Sequence, residues 1–121
     1  MRNQVIIKKK ISSYQKIINV SGDKSLSIRC ILMASQAIGK SRISNLLESE
    51  DVLNSLKAIK KLGINYTKLD NQYIIDGYGL GGYKIKKDTI INAGNSGTLA
   101  RLLLGLLVDI NKEVTIIGDS S

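Results

Sequence analysis

The chain's 121 residues, 43% hydrophobic and 23% charged, suit one globular domain and exclude intrinsic disorder, and no apolar run approaches the ~18 residues of a membrane span. A formal net charge of +8 favours anionic partners, whether nucleic acid, a membrane surface or small phosphorylated metabolites. With no histidine and a single cysteine, Cys30, the chain offers no imidazole acid–base chemistry, no intramolecular disulfide and too few ligands for a zinc site.

In chain order, residues 4–11 read as a strand and residues 16–20 as a second extended segment. The start, residues 1–10, is basic with no apolar stretch behind it, so no secretory signal is expected. Ser21, Gly22 and Asp23 then supply turn and N-cap chemistry for a helix over residues 24–38. Ile28, Ile31, Leu32, Ser35 and Ile38 share one face of it, and Gly39 suits the position just past its end. Residues 41–47 read as a short strand. Ser49 is placed to cap a helix over residues 50–62 with an apolar stripe of Val52, Leu53, Leu56, Ile59 and Leu62, ended by Gly63. Residues 64–69 and 72–76 alternate like strands, and Asp70-Asn71 between them predicts a hairpin. A loop over residues 77–82 leads to a short predicted strand at 83–85. Ile90 and Ile91 precede a loop of small residues, 92–97. An apolar helix over 98–108 and a strand over 113–117 complete the series.

The pattern repeats. Gly22-Asp23-Lys24-Ser25-Leu26-Ser27-Ile28-Arg29 opens one helix, and Gly94-Asn95-Ser96-Gly97-Thr98-Leu99-Ala100-Arg101 opens another 72 residues later. Each glycine precedes its arginine by seven positions. A period of this length marks one supersecondary unit used more than once. The second copy has a strand and a helix but not the rest, so the sequence reads as an incomplete chain.

Both openings carry groups suited to anions. A helix start offers free N–H groups and the positive end of the dipole. Lys24 adds a point charge, Ser25 a hydroxyl, and Arg29, one turn past Ser25, a guanidinium fork for phosphate or carboxylate. The blander reading is a capped helix with a solvated basic face. In the second opening, Gly94 and Gly97 allow close backbone approach to a ligand, Thr98 is a candidate cap, and Arg101 lies one turn in. Asp51, with Glu50, opens the second helix, where acids ordinarily complement the dipole; the alternative is that Asp51 orients Lys24. Gly39-Lys40-Ser41 is not a phosphate-binding loop, since Ala34 stands where that motif needs glycine and the segment follows its helix. The lysines at 8–10 read as a solvated strand end, and Cys30 as a core residue.

The segments SGDKSLSIR, SRISNLLESEDV and GNSGTLARLLLGLL resemble, in order and spacing, three signature segments of the EPSP synthase family, over about residues 20–119. The resemblance implies an α/β fold of repeated βαβαββ units, the enolpyruvyl transferase fold, incomplete in this chain. That fold has two similar domains of three such units. Residues 1–19 are then the first strand segment of a split domain completed by sequence beyond this chain, and residues 20–121 the first unit and part of the second unit of the other domain. The family transfers the enolpyruvyl group of phosphoenolpyruvate to the 5-hydroxyl of shikimate 3-phosphate, releasing phosphate, with no cofactor and no metal. Carried over by motif, Lys24 is catalytic and contacts both substrates. Ser25 and Arg29 hold shikimate 3-phosphate, Asn95 and Gly97 line the phosphoenolpyruvate pocket, and Asp51, Thr98 and Arg101 support the site. Glycine at position 97 resembles enzymes sensitive to glyphosate, which competes with phosphoenolpyruvate. Asp51 matches the last acid of the family's acidic segment, with Glu48 and Glu50 before it. The family's acid–base carboxylate lies in later segments, so this chain by itself is expected to be inactive. The implied partners are two small anions, with no nucleic acid and no membrane, and the implied enzyme is a cytoplasmic monomer. Alternatives are the sister family of UDP-N-acetylglucosamine enolpyruvyl transferases, which has asparagine where Ser25 stands, and a basic nucleic-acid-binding module. The second explains the charge but not the repeated helix openings, and it lacks an aromatic platform beyond five tyrosines.

Overall fold

The structure is a computed structural model that describes residues 6, 8, 9, 12, 13 and 15–121. The strand expected over residues 4–11 falls largely outside the described residues. Residues 16–20 are exposed and pair with no described strand. The elements that follow are α1 (Lys24–Gln36), β1 (Ile38–Ser44), α2 (Glu50–Lys61), β2 (Asn65–Leu69), β3 (Gln72–Tyr78), β4 (Thr89–Asn92), α3 (Gly97–Leu106) and β5 (Val114–Ile117).

Helix α1 starts as its sequence dictates. Asp23 takes the N-cap position, and its carboxylate accepts from the Leu26 amide at 2.7 Å. Ile28, Ile31, Leu32 and Ser35 face inward as the periodicity predicts. The helix ends at Gln36, earlier than expected, because the chain is drawn into a sheet. Ile38 begins β1 and is 92% exposed, so it leaves the predicted apolar face. Gly39 has a positive φ of 87°, but within β1 and opposite Gly77 rather than past a helix end. At Gly77 a β-carbon would lie 2.3 Å from the Ala37 carbonyl oxygen, so β3 passes against the α1–β1 junction only because that residue is glycine. Cys30 is exposed, not in the core, since it points away from the face that Ile28 and Ile31 bury.

Strands β1, β3 and β2 form an antiparallel sheet in that order. The predicted hairpin is present, with Leu69 opposite Gln72 and Asp70 at φ 50° in its turn. Helix α2 ends as Gly63 foretells. The Ile64 amide bonds the Ile59 carbonyl and the Gly63 amide bonds that of Lys60, a Schellman arrangement around a glycine at φ 88°. Leu53 sits at the edge of the predicted stripe and stays exposed.

Residues 83–85 are not a strand. They are held by separate bonds: the Lys84 amide to the Leu62 carbonyl at 2.9 Å, and Lys112 Nζ to the Ile85 carbonyl at 2.7 Å, with Ile85 itself buried. Beyond them, β4 and β5 pair in parallel through α3, a βαβ crossover. One apolar core joins both repeats: Ile28 and Ile31 of α1, Leu56 and Ile59 of α2, Ile75 of β3, Ile91 of β4, and Leu99 and Leu103 of α3.

Candidate functional site

The two helix openings differ in how they are built. At the first, Lys24 begins α1 and Asp51 is the second residue of α2. Lys24 Nζ lies 2.9 Å from Asp51 Oδ2, with the lysine side chain 52% exposed and the aspartate 12% exposed. Asp51 stands in the first turn of α2 and also pairs with Lys24, so the geometry is compatible with both readings of it. The ammonium therefore stays open to solvent while its direction is set from beneath. Ser25 is half-buried beside it, and Arg29 is exposed one turn on.

Behind this pair runs the connection from β1 to α2, part of the SRISNLLESEDV segment. Gly22 packs on it so closely that a β-carbon would stand 2.1 Å from the Asn45 carbonyl oxygen. Ser27 Oγ donates to the Asp23 carbonyl at 2.6 Å and accepts from the Leu47 amide at 3.0 Å. At its far end, Glu48 accepts from Tyr73 Oη at 2.7 Å and pairs with Lys68. The bonds from Lys68 and Tyr73 hold the Glu48 carboxyl below its ordinary pKa, while burial pushes the Tyr73 phenol up. Spacing alone does not reveal this cluster, because Tyr73 and Lys68 meet Glu48 only after the β2–β3 hairpin folds back.

At the second opening, the cap is Ser96, not Thr98: Ser96 Oγ accepts from the Leu99 amide at 3.2 Å, and Thr98 already lies within α3. A serine three positions before an apolar helix residue was the signal available. Asn92 Oδ1 accepts from the Gly94 amide at 2.8 Å, and the Asp119 amide reaches the Gly94 carbonyl at 3.1 Å, tying the loop to the end of β5. Asn95 and Gly97 are exposed and line a hollow of about 320 Å³ with Ala93, Gly94, Ile117 and Asp119. A β-carbon on Gly97 would lie 3.1 Å from Arg101 Nη1, so the guanidinium occupies the space a side chain would take.

Arg29 and Arg101 line a common groove of about 400 Å³ between α1 and α3, with Leu32, Met33, Leu102 and Leu106. The fold thus brings the two arginines of the repeat together. Lys24 and Ser25 line neither this groove nor the Gly97 hollow. Among the described residues, no three or more histidine, cysteine or acidic side chains gather as a metal site, and no helix is long and apolar enough to cross a membrane.

The profile of the EPSP synthase (3-phosphoshikimate 1-carboxyvinyltransferase) family matches residues 8–121. The 3-phosphoshikimate 1-carboxyvinyltransferases of Streptococcus pyogenes serotype M2 (strain MGAS10270) and serotype M1 are each 41% identical over 107 residues, covering 88% of this chain and 25% of the relative. The chain thus spans about a quarter of the length of the curated relatives it matches. A solved EPSP synthase from Acinetobacter baumannii superimposes with a TM-score of 0.78 at 34% identity, covering 86% of this chain and 24% of that one. Profile, relatives and fold agree with the three sequence segments, and the chain belongs to the EPSP synthase family.

Proposed function

We propose that this chain supplies part of the substrate site of an enzyme that transfers the enolpyruvyl group of phosphoenolpyruvate to the 5-hydroxyl of shikimate 3-phosphate. The hydroxyl attacks C2 of phosphoenolpyruvate, and the tetrahedral intermediate then eliminates phosphate. Catalysis of this kind rests on gathering two phosphates and a carboxylate and on stabilising charge as it moves.

The Lys24–Asp51 pair carries the proposal. A cation aimed by a nearly buried carboxylate, yet open to solvent, suits an ammonium that receives anionic substrates. Lys24 is assigned contact with both substrates. Ser25 and Arg29 are assigned to shikimate 3-phosphate, and Asn95 and Gly97 to phosphoenolpyruvate. Arg101 is assigned the Gly97 side of the pocket; the 3.1 Å from its Nη1 to a β-carbon built on Gly97 supports that assignment. Thr98 is assigned a supporting place in the first turn of α3. The acid–base carboxylate is assigned to sequence outside this chain, so the 121 residues by themselves are proposed to be inactive. The division after residue 19 is proposed as a domain crossing; exposed Ile17, Ile18 and Val20 support it, since apolar side chains clustered this way are normally covered. The family resemblance supports a cytoplasmic monomer that binds neither nucleic acid nor membrane.

The test is phosphate release from shikimate 3-phosphate and phosphoenolpyruvate by the complete product of the reading frame. Lys24→Ala is expected to lower kcat/KM by about a hundredfold or more, the loss typical of one preorganised charge donor. Release that survives the substitution removes Lys24 from the site. Release only with UDP-N-acetylglucosamine as acceptor assigns the sister activity.

A further inference from the structure

Asp51 can aim Lys24 only if the starts of α1 and α2 are held at a fixed separation. The usual device for fixing a helix start is a hydrogen bond from the N-cap side chain. Helix α2 lacks it: Ser49 makes no capping bond, and its Oγ is buried without a partner. The start of α2 is therefore placed by neighbours, through residues 45–49.

Two groups of contacts grip that segment. On one side, Lys68 and Tyr73 of the β2–β3 hairpin hold Glu48 and so fix α2 relative to the sheet. On the other side lies α1. Gly22 permits backbone contact at Asn45 and Leu47. Among the described residues, the one hydrogen bond from α1 into the segment is that between Ser27 Oγ and the Leu47 amide. The hydroxyl is fully engaged, since it also donates to the Asp23 carbonyl. Ser27 is 4% exposed, so it sits beneath the site and does not reach a bound substrate.

We infer that Ser27 is a positioning residue for Lys24, acting through Asp51; the inference deepens the transferase reading proposed above and rests on it. By joining the N-cap of α1 to the segment four residues before Asp51, the Ser27 hydroxyl sets the span that the Lys24–Asp51 pair closes. Loss of the hydroxyl leaves the Leu47 amide without its partner and lets the α2 start drift. A displacement near 1 Å in such a site costs about ten- to a hundredfold in rate.

The test compares Ser27→Ala, Asp51→Asn and the double variant in the complete product of the reading frame. It uses two readouts: kcat/KM for phosphate release, and the labelling rate of Lys24 by an amine-reactive acyl reagent, measured by peptide mass spectrometry against exposed Lys57. Ser27→Ala is expected to lower kcat/KM about ten- to a hundredfold. It should also raise Lys24 labelling by about two- to fivefold, the protection a solvent-screened pair can give. In the Asp51→Asn background it should change neither. If Ser27→Ala fails to fold, Ser27→Cys, near in shape and weak in hydrogen bonding, is read in the same way. Equal losses in both backgrounds, or unchanged Lys24 labelling, would overturn the inference and leave Ser27 a structural residue only. If the unsubstituted enzyme releases no phosphate, the transferase reading fails, while the labelling rates still decide whether Ser27 aims Lys24.

Discussion

Tyr83 shows how one side chain can set the response of the chain to alkali. Its hydroxyl lies 2.8 Å from Ser35 Oγ, and Ser35 already donates to the Leu32 carbonyl, so the tyrosine is the donor. Burial pushes its pKa above the ordinary 10.0. The folded chain therefore holds this proton more tightly than the unfolded one. The stability that results is fully present below the ordinary value and is lost as pH rises toward the folded value. Urea titrations from pH 8 to 11 are expected to show stability falling above about pH 10, with a shallower fall in Tyr83→Phe. At pH 7 the same variant should lose about 1 kcal/mol for the missing bond. A fall of equal steepness in the variant would assign the loss to other groups. Single residues were unevenly legible. Lys24 and Asp51 stood out because helix starts have known electrostatic preferences. Ser27 did not, because a serine inside a helix has no distinguishing pattern until its partner from a distant segment arrives.

The helix starts of α2 and α3 carry the same residue type with different outcomes. The Ser96 hydroxyl bonds the Leu99 amide, whereas the Ser49 hydroxyl bonds nothing. Ser96→Ala is expected to cost about 1 kcal/mol in urea unfolding, the usual worth of a serine cap. Ser49→Ala removes a buried hydroxyl that has no partner, so it should be within about 0.5 kcal/mol of neutral or stabilising. A loss at Ser49 matching that at Ser96 would mean that Ser49 caps α2 in solution. Both helices were legible as elements because apolar periodicity is a local signal, and Gly63 terminates α2 where it should. Residues 38 and 83–85 were misread for one physical reason. Ile38 continues the helical period of α1, but pairing with Tyr78 removes it into β1. Residues 83–85 have strand composition, but their backbone bonds go to Leu62 and Lys112 instead of a neighbouring strand.

At the scale of the whole molecule, a single core links the two copies of the repeat, with Leu103 of the second copy buried among the residues of the first. Leu103→Ala is expected to cost about 2–5 kcal/mol. The loss should appear in one cooperative transition shared by amides of β1, β3 and β5, read by hydrogen exchange. Leu104→Ala, on the exposed face of α3, should change stability by about 0.5 kcal/mol or less. A transition confined to β4–α3–β5 would show that the copies unfold separately. The helices, the β2–β3 hairpin, the repeat of 72 residues and the family are all legible in the order of residues, because caps, turn residues and motif spacing act over a few neighbouring positions. Folding in three dimensions is what puts β3 between β1 and β2, Arg29 and Arg101 in one groove, and Asp51 within reach of Lys24 across two helix starts. Those outcomes depend on backbone packing at Gly22 and Gly77 and on hydrogen bonds between segments far apart in the chain, where local pattern carries no information.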